Sequence, residues 1–367
     1  MHIRSTTFNG RKVWELNNGC LTLAMTVGGG HIARVALNDK PEVNPLWEPI
    51  WRPIEPWQYR ARRDAARYQS RLLASICGHN LCLPWFGGAS PQEAAAGMDA
   101  HGEAGVSRWR LAKRRVTARA VSLTAECTLP ACRLHVTRTL TARAGAPRVH
   151  VAETVRNLSP RDLPFTMAEH VTVAAPFLEK GVTVLDTPAT RCHTYPGAFE
   201  PHNRLKTDTA FRWPDGPGTR GETVDMRLIH PRYRRSSDFS TLLMDPRRDD
   251  AWFSVLNPRQ GVLLAYAWRR GDFPWLGNWE ENFGRNAAPW AGQSLTRGLE
   301  FANTPFPIPL RDAMARATFH GLPTYQWLPA KGTHRVAYDI LMLGVDGAVA
   351  GVADIRRRGD DLDVVLR

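Results

Sequence analysis

The sequence predicts an all-β protein built from antiparallel strands, with few and short helices. Stretches in which apolar and polar residues alternate recur along most of the chain, and this period of two is typical of strands with one buried face. Turn-forming residues separate the stretches at short intervals, as expected for hairpins. Because no linker or change of composition divides the 367 residues, we expect one domain over 1–367; all-β domains often exceed ~200 residues.

The first forty residues are predicted to form hairpins. Residues 13–16 form a short strand, and the Asn-Asn-Gly at 17–19 is a strong turn signal. Residues 20–27 and 31–37 then alternate again. The three glycines at 28–30 have no helix pattern behind them, so they do not form a dinucleotide-binding loop.

The chain changes character after residue 40. Five Pro and three Trp within 41–57 make regular structure improbable there. Residues 59–73 fit either a short helix or an irregular arm. Ser90, followed by Pro and by Glu93, has the pattern of a helix start. We interpret the region up to residue 100 as long loops packed over a cleft.

The remaining chain is again rich in strand patterns. Period-two alternation runs through 107–173 and predicts successive antiparallel strands. Residues 187–235 are predicted to be mostly loops, because Pro, Gly, His and Arg occur throughout. Hairpins are predicted at 238–270, mixed structure at 310–327, and closing strands after residue 333.

Composition excludes several classes of function. The formal charge is +13, but the basic residues are scattered and match no DNA-binding motif, so no nucleic-acid partner is expected. No apolar run approaches the ~20 residues of a membrane span, and the start lacks a signal-peptide core. We expect a cytoplasmic protein, monomeric or homodimeric. Six Cys without C-x-x-C spacing argue against disulfides and structural zinc, although one unusual metal set remains conceivable: Cys77, His79, Cys82 and His101.

Candidate chemistry centres on the stretch 273–307, which holds three Trp, paired acids and Glu300. A carboxylate near a strand end beside flat aromatic rings suits a general base at a sugar. The alternative is an exposed strand residue, the common fate of Glu. His101, His170 and Asp238 are further isolated candidates, each with an ordinary structural explanation. Together they would supply a base, an acid and ligands for hydroxyls.

Several motifs, taken in order, resemble the aldose 1-epimerase (galactose mutarotase-like) superfamily, in a divergent epimerase-like branch. AHGEAGVSRW is similar to its first His-Gly motif, and the segment ending TMAEHVTV to the strand that carries its second His. SSDFSTLLM is similar to the strand with its Asp. FPWLGNWEEN followed by GLEFANTPFP resembles the strand pair that ends in its catalytic Glu. The resemblance covers nearly the full chain and implies a large antiparallel β-supersandwich.

The resemblance also implies roles. Glu300 would be the general base on the anomeric hydroxyl, ionised near neutral pH. His170 would be the acid that protonates the ring oxygen, and His101 would hold the ring. Where the family has an Arg-bearing loop, this chain has His79 and Asn80 instead. No metal or organic cofactor is needed, and a small-molecule carbohydrate is the expected ligand. The expected substrate-binding residues are His79, Asn80, Glu103, Trp109, Asp238, Asn278, Trp279 and Glu281.

Two other functions fit the same residues. A glycoside hydrolase or polysaccharide lyase would pair Glu281 with Glu300 or Glu103, and a hydrolase needs its two carboxyl groups ~5–9.5 Å apart. A non-catalytic carbohydrate-binding protein would use Trp109, Trp279 and Trp290 as stacking platforms. Turnover of a sugar separates the enzymes from the binding protein.

Overall fold

Two antiparallel β-sheets pack face to face in the computed structural model, which describes residues 1–200 and 202–367. The predicted fold class is confirmed. The strands in chain order are β1 (His2–Phe8), β2 (Arg11–Asn17), β3 (Leu21–Thr26), β4 (Ile32–Leu37), β5 (His79–Cys82), β6 (Arg110–Val116), β7 (Ala120–Leu129), β8 (Leu134–Arg143), β9 (Arg148–Asn157), β10 (Leu163–Phe165), β11 (Ala168–Ala174), β12 (Val184–Asp186), β13 (Ala189–Thr194), β14 (Ala210–Arg212), β15 (Asp215–Pro217), β16 (Thr223–Asp225), β17 (Ser236–Met244), β18 (Asp250–Asn257), β19 (Val262–Arg269), β20 (Trp275–Asn282), β21 (Leu295–Ala302), β22 (Thr318–Phe319), β23 (Leu322–Pro323), β24 (Gln326–Leu328), β25 (Thr333–Gly344), β26 (Val352–Arg358) and β27 (Asp361–Leu366).

The larger sheet has thirteen strands in the order β1-β2-β3-β4-β5-β11-β21-β20-β17-β13-β14-β15-β16. The smaller sheet has eight, in the order β12-β18-β19-β25-β9-β8-β7-β6. The region predicted to be mostly loops therefore contributes four short strands, β13 to β16, at one end of the larger sheet. Strand β5 joins the N-terminal hairpins to the centre of that sheet, since it pairs with both β4 and β11.

Strand β5 was not predicted. Its four residues, His-Asn-Leu-Cys, are all buried, so they show no alternation of polar and apolar residues. They also lie in a segment whose Pro, Gly and Trp content favours irregular structure. The pairing partners on both sides, rather than local preference, hold this segment extended.

The helices are α1 (Ala61–Tyr68), α2 (Pro91–Ala95) and α3 (Leu310–Arg316). Helix α2 begins as predicted: the Ser90 hydroxyl accepts from the Glu93 N–H, and the Glu93 carboxylate accepts from the Ser90 N–H at 2.6 Å. Helix α1 lies within the segment predicted as a helix or an arm. None of the helices in the described parts of the chain has the length and apolar character to cross a bilayer.

Burial differs between the two sheets. Along β7, β8 and β9 buried residues alternate with more exposed ones, so one face of the smaller sheet meets solvent. Every residue of β11, β17 and β20 is buried, so both faces of the larger sheet are covered at its centre. The inner face packs against the smaller sheet. The outer face lies beneath a cover of aromatic and aliphatic side chains, many from the chain between residues 47 and 106.

A fully buried polar network links the two sheets. Arg138 of β8 donates to Glu169 of β11 at 3.3 Å and to Glu153 of β9 at 2.5 Å. Glu169 also accepts from the Tyr338 hydroxyl at 3.2 Å. Burial raises the pKa of Glu153 to about 8, against the lowering effect of Arg138. One guanidinium group therefore balances the charge of two buried carboxyl groups. This arrangement favours protonation of one of the two acids.

Candidate active site

A cavity of about 320 Å³ opens on the outer face of the larger sheet, where β11, β21, β20 and β17 lie side by side. Its volume is within the ~300–1,000 Å³ typical of small-molecule sites. The strands form its floor, and the covering segments form its walls. The described residues that line it are mostly aromatic or aliphatic, with His101, His170, Arg285 and Glu300 as the ionisable groups.

The strand register brings the two central polar groups together. His170 of β11 lies directly opposite Glu300 of β21, and residues directly opposite in an antiparallel pair share a face. The His170 Nε2 is 3.0 Å from the Glu300 Oε1. The other ring nitrogen, Nδ1, is 3.1 Å from the Thr172 hydroxyl. Both ring nitrogens are thus engaged, which fixes the orientation of the imidazole.

Two glycines make room for the Glu300 carboxylate. Gly277 lies opposite Glu300 on β20, and a Cβ there would stand 3.1 Å from its Oε2. Gly298 precedes Glu300 by two residues on the same face, and a Cβ there would overlap the Oε1. Side chains at these positions would displace the acid, so the glycines are part of the site.

His101 reaches the cavity from the loop after α2. Its backbone has a φ of +61°, a left-handed conformation that is uncommon outside glycine. The ring centroid lies 5.2 Å from that of His170, nearly perpendicular to it. The adjacent Gly102 allows close contact with the main chain of Leu83, which a Cβ would prevent.

Burial governs protonation in the site. It raises the pKa of Glu300 to about 8, although the nearby Arg285 acts in the opposite direction. It lowers the pKa of His170 well below its usual value and that of His101 to about 4. A carboxylic acid and neutral imidazoles are therefore favoured at neutral pH. The sequence-based expectation was an ionised Glu300 beside a protonated His170; burial favours the opposite placement of the proton.

Arg285 lines the cavity and was not among the predicted site residues. It lies in the loop after β20, with its guanidinium 5.1 and 5.0 Å from the ring centroids of Trp279 and Trp290. Glu281 accepts from the backbone N–H groups of Gly284 and Arg285 at 2.6 and 2.8 Å. Glu281 therefore holds the loop that presents Arg285, and it is not among the described residues that line the cavity.

Aromatic rings form much of the wall. Trp47 stacks on Trp290 with 5.3 Å between centroids, and Trp279 meets Trp290 edge-on at 5.7 Å. Phe239 of β17 lies opposite Trp279 of β20 and shares its face. Such flat apolar surfaces suit the CH-rich faces of a sugar ring and exclude water from the polar floor.

Neither a comparison with family models nor one with curated protein sequences finds a match. Solved structures do match. A proposed aldose 1-epimerase from Klebsiella pneumoniae aligns over 92% of this chain and 81% of its own, with a TM-score of 0.65 at 14% identity. A galactose mutarotase-like protein from Clostridium acetobutylicum aligns over 94% of this chain and 99% of its own, with a TM-score of 0.58 at 10% identity. Another galactose mutarotase-like protein, from Lactobacillus casei, aligns over 90% of this chain and 100% of its own, with a TM-score of 0.55 at 13% identity.

The chain has the galactose mutarotase-like fold. The similarity extends over nearly the whole chain in each case, so the fold assignment does not rest on one sheet alone. At these identities the likeness concerns the fold, because one fold can carry many functions.

Within this galactose mutarotase-like fold, three predicted substrate-binding residues lie on the inner face of the larger sheet, away from the cavity. The fully buried His79 contacts the Glu169 Oε2 at 2.6 Å. Asp238 accepts from the Arg204 backbone N–H at 3.0 Å. Asn278 accepts from the Arg297 Nε at 2.8 Å. These side chains bond to other buried polar groups on that inner face.

Three other predicted residues also lie outside the cavity lining. Glu103 accepts from the backbone N–H groups of Ala131 and Cys132, and so holds a turn. Trp109 is 1% exposed and belongs to the core between the sheets. Asn80 lies opposite His170 on the cavity face of β5 but is covered, and its Oδ1 has no hydrogen-bond partner among the described residues. Trp279 does line the cavity.

The structure also separates the residues of the conceivable metal set. His101 lies at the cavity, whereas His79 points to the inner face of the sheet. In the described parts of the chain, no three His, Cys, Asp or Glu side chains are grouped so that they could hold a metal ion.

Proposed function

We propose that this protein is an isomerase of the aldose 1-epimerase type, which interconverts the anomers of a sugar by opening and reclosing its ring. The observation that carries the proposal is the His170–Glu300 contact of 3.0 Å on the floor of an aromatic-walled cavity. Ring opening needs one group that removes a proton from the anomeric hydroxyl and one that protonates the ring oxygen. A carboxyl group and an imidazole that share one proton meet this need.

The proton balance of the pair fits a reversible reaction. With the proton on His170, Glu300 takes the proton of the anomeric hydroxyl, the C1–O5 bond breaks, and His170 protonates O5. This leaves a protonated Glu300 and a neutral His170, which is the combination that burial favours. After rotation of the aldehyde, the same two groups act in reverse and close the ring from the other face. Each turnover returns the pair to its starting state.

The other cavity groups support binding. His101 lies beside His170 and is kept neutral by burial. Its ring can therefore accept a hydrogen bond from a sugar hydroxyl or donate one to it. The Arg285 guanidinium offers donors to sugar oxygens from between two indole rings. The indoles themselves offer stacking surfaces to the apolar face of the ring.

The hydrolase alternative finds less support. Of the described residues that line the cavity, Glu300 is the only carboxylic acid. The Glu281 oxygens accept hydrogen bonds from Ser237 and from the loop backbone. The Glu103 oxygens accept from the backbone of the turn at Ala131 and Cys132. Hydrolysis by paired carboxyl groups needs a second acid across the sugar. The non-catalytic alternative differs from our proposal only in turnover.

The proposal is tested by polarimetry of freshly dissolved α-D-glucose and α-D-galactose. The protein should speed the relaxation of optical rotation, and Glu300→Gln should lower the rate at least ~100-fold, because an acid–base residue typically contributes that much. Glu42→Gln is the matched control, since Glu42 is exposed and distant in sequence from every cavity residue except Trp47. Wild-type protein that binds the sugars, by Trp fluorescence, but does not speed relaxation would identify a binding protein instead.

A further inference from the structure

A second concavity, of about 740 Å³, lies beside the candidate active site and is strongly basic. Arginine side chains dominate the described residues that line it, with Glu222 as the only carboxylic acid among them. We name it the basic concavity. Its arginines are Arg204, Arg220, Arg232, Arg234 and Arg235.

The charge of the basic concavity is largely uncompensated. Arg204 is buried and paired with Asp238 and Glu280, and Arg232 stands 4.0 Å from Glu222. The other three arginines are exposed, and no carboxylate of the described residues lies within ion-pair distance of their side chains. Unpaired guanidinium groups around one hollow are a ready site for carboxylate or phosphate, which they bind in bidentate fashion.

The same chain segments border both sites. Glu200 is ion-paired at 2.9 Å with Arg285, which lines the cavity. Asn286, which follows Arg285 in the chain, accepts a hydrogen bond from the Arg235 Nη1 at 3.3 Å, and Arg235 lines the basic concavity. A ridge only a few side chains wide therefore separates the two sites. A ligand longer than one sugar could occupy both.

We propose that the natural substrate is an acidic oligosaccharide, with its terminal sugar in the cavity and an anionic unit in the basic concavity. The placement of the terminal sugar rests on the proposed function. The Tyr233 ring also lines the concavity, with the guanidinium groups of Arg204 and Arg232 at 5.4 and 4.8 Å from its centroid. A saccharide is favoured over a nucleic acid, because single strands are bound along extended basic grooves, whereas this concavity is a short hollow beside a sugar-sized cavity.

The experiment measures binding by titration calorimetry with trigalacturonate and with the neutral maltotriose, at about 50 mM and about 300 mM salt. We expect trigalacturonate to bind at least ~10-fold more tightly at low salt, and this preference to shrink at high salt through screening. Arg220→Glu with Arg234→Glu should abolish the preference. Arg114→Glu with Arg115→Glu, at exposed positions of β6, changes the net charge equally and should keep it.

Three results would overturn the proposal: equal affinity for the two trisaccharides, the same loss in both charge-reversed proteins, or tighter binding of an eight-residue oligothymidylate than of trigalacturonate. The readout is binding and not turnover. Absent mutarotation with the expected binding pattern would therefore contradict only the proposed reaction, and mutarotation without any preference for the anion would contradict only the basic concavity.

Discussion

Glu300 and His170 show how burial can prepare an acid–base pair. Both side chains are at most 5% exposed, so each prefers its neutral form, and their contact lets one proton serve both. The pair can act in either direction only while it holds a single proton. With two protons it lacks a base, and with none it lacks an acid.

This protonation balance predicts the pH profile of sugar mutarotation. As pH rises through the Glu300 pKa of about 8, the pair loses its only proton, so kcat/KM should fall above about pH 8. Toward acid the profile should stay flat below pH 6.5, because the pKa of His170 is lowered. Polarimetry between pH 5 and 10 measures both limbs. A decline that begins near pH 6.5 on the acid side would contradict a neutral His170.

Arg285 should set the position of the alkaline limb. Its charge lowers the pKa of Glu300, so Arg285→Met should raise that pKa and move the limb upward by about one unit, as the loss of a nearby charge commonly does. Arg285→Lys keeps the charge and should leave the limb in place, although KM rises with the lost guanidinium contacts. An unmoved limb in the methionine variant would mean that Arg285 has no electrostatic role.

At the scale of the strands, the sequence indicated which segments are extended. It did not always indicate on which face of the sheet a side chain lies. Trp279 and Glu300 project into the cavity, whereas Asn278 and Asp238, on the same or the adjacent strand, project to the opposite face of the sheet. In the fully buried β17 and β20 both faces carry polar and apolar residues, so alternation does not reveal the side. The register of neighbouring strands decides it.

Other parts of the site were beyond prediction for a different reason. Arg285 follows a strand in a loop, and only the tertiary folding of that loop, through Glu281, brings it over the cavity. Local pattern carries no such information. A usable signal was present in WLGNWEE and TRGLEF, because a glycine inside a strand often marks close approach of another group. Gly277 and Gly298 mark the position of Glu300.

Glycine at 298 should be needed for activity. In Gly298→Ala the new methyl group would overlap the Glu300 Oε1 and approach Trp279 at 3.0 Å, so the carboxyl group must move away from His170. We expect mutarotation to fall at least ~10-fold, since small misplacements of catalytic groups are costly. The control is Gly271→Ala, where a Cβ meets nothing within 4 Å and φ is not positive. Equal activity of the two variants would remove Gly298 from the site.

At the scale of the whole molecule, the buried network of Arg138 joins the two sheets through side chains. Arg138→Met would leave Glu153 and Glu169 buried without their cation. Breaking such a pair from one side typically costs ~3–5 kcal/mol, and we expect the free energy of unfolding to fall by about that amount in urea denaturation. Arg114→Met, on the exposed β6, is the control. A loss below about 1 kcal/mol would mean that the network does not stabilise the sandwich.

The proposed acid–base pair and the wall of the cavity come from different parts of the chain. His170 and Glu300 stand on central strands that are buried on both sides, where substitution is poorly tolerated. Much of the wall comes from segments outside the sheets, around Trp47, Leu72 and Trp290, and such segments accept sequence change more readily. Sequence change in the wall would therefore alter which ligand fits the cavity, while the proposed acid–base pair on its floor is kept.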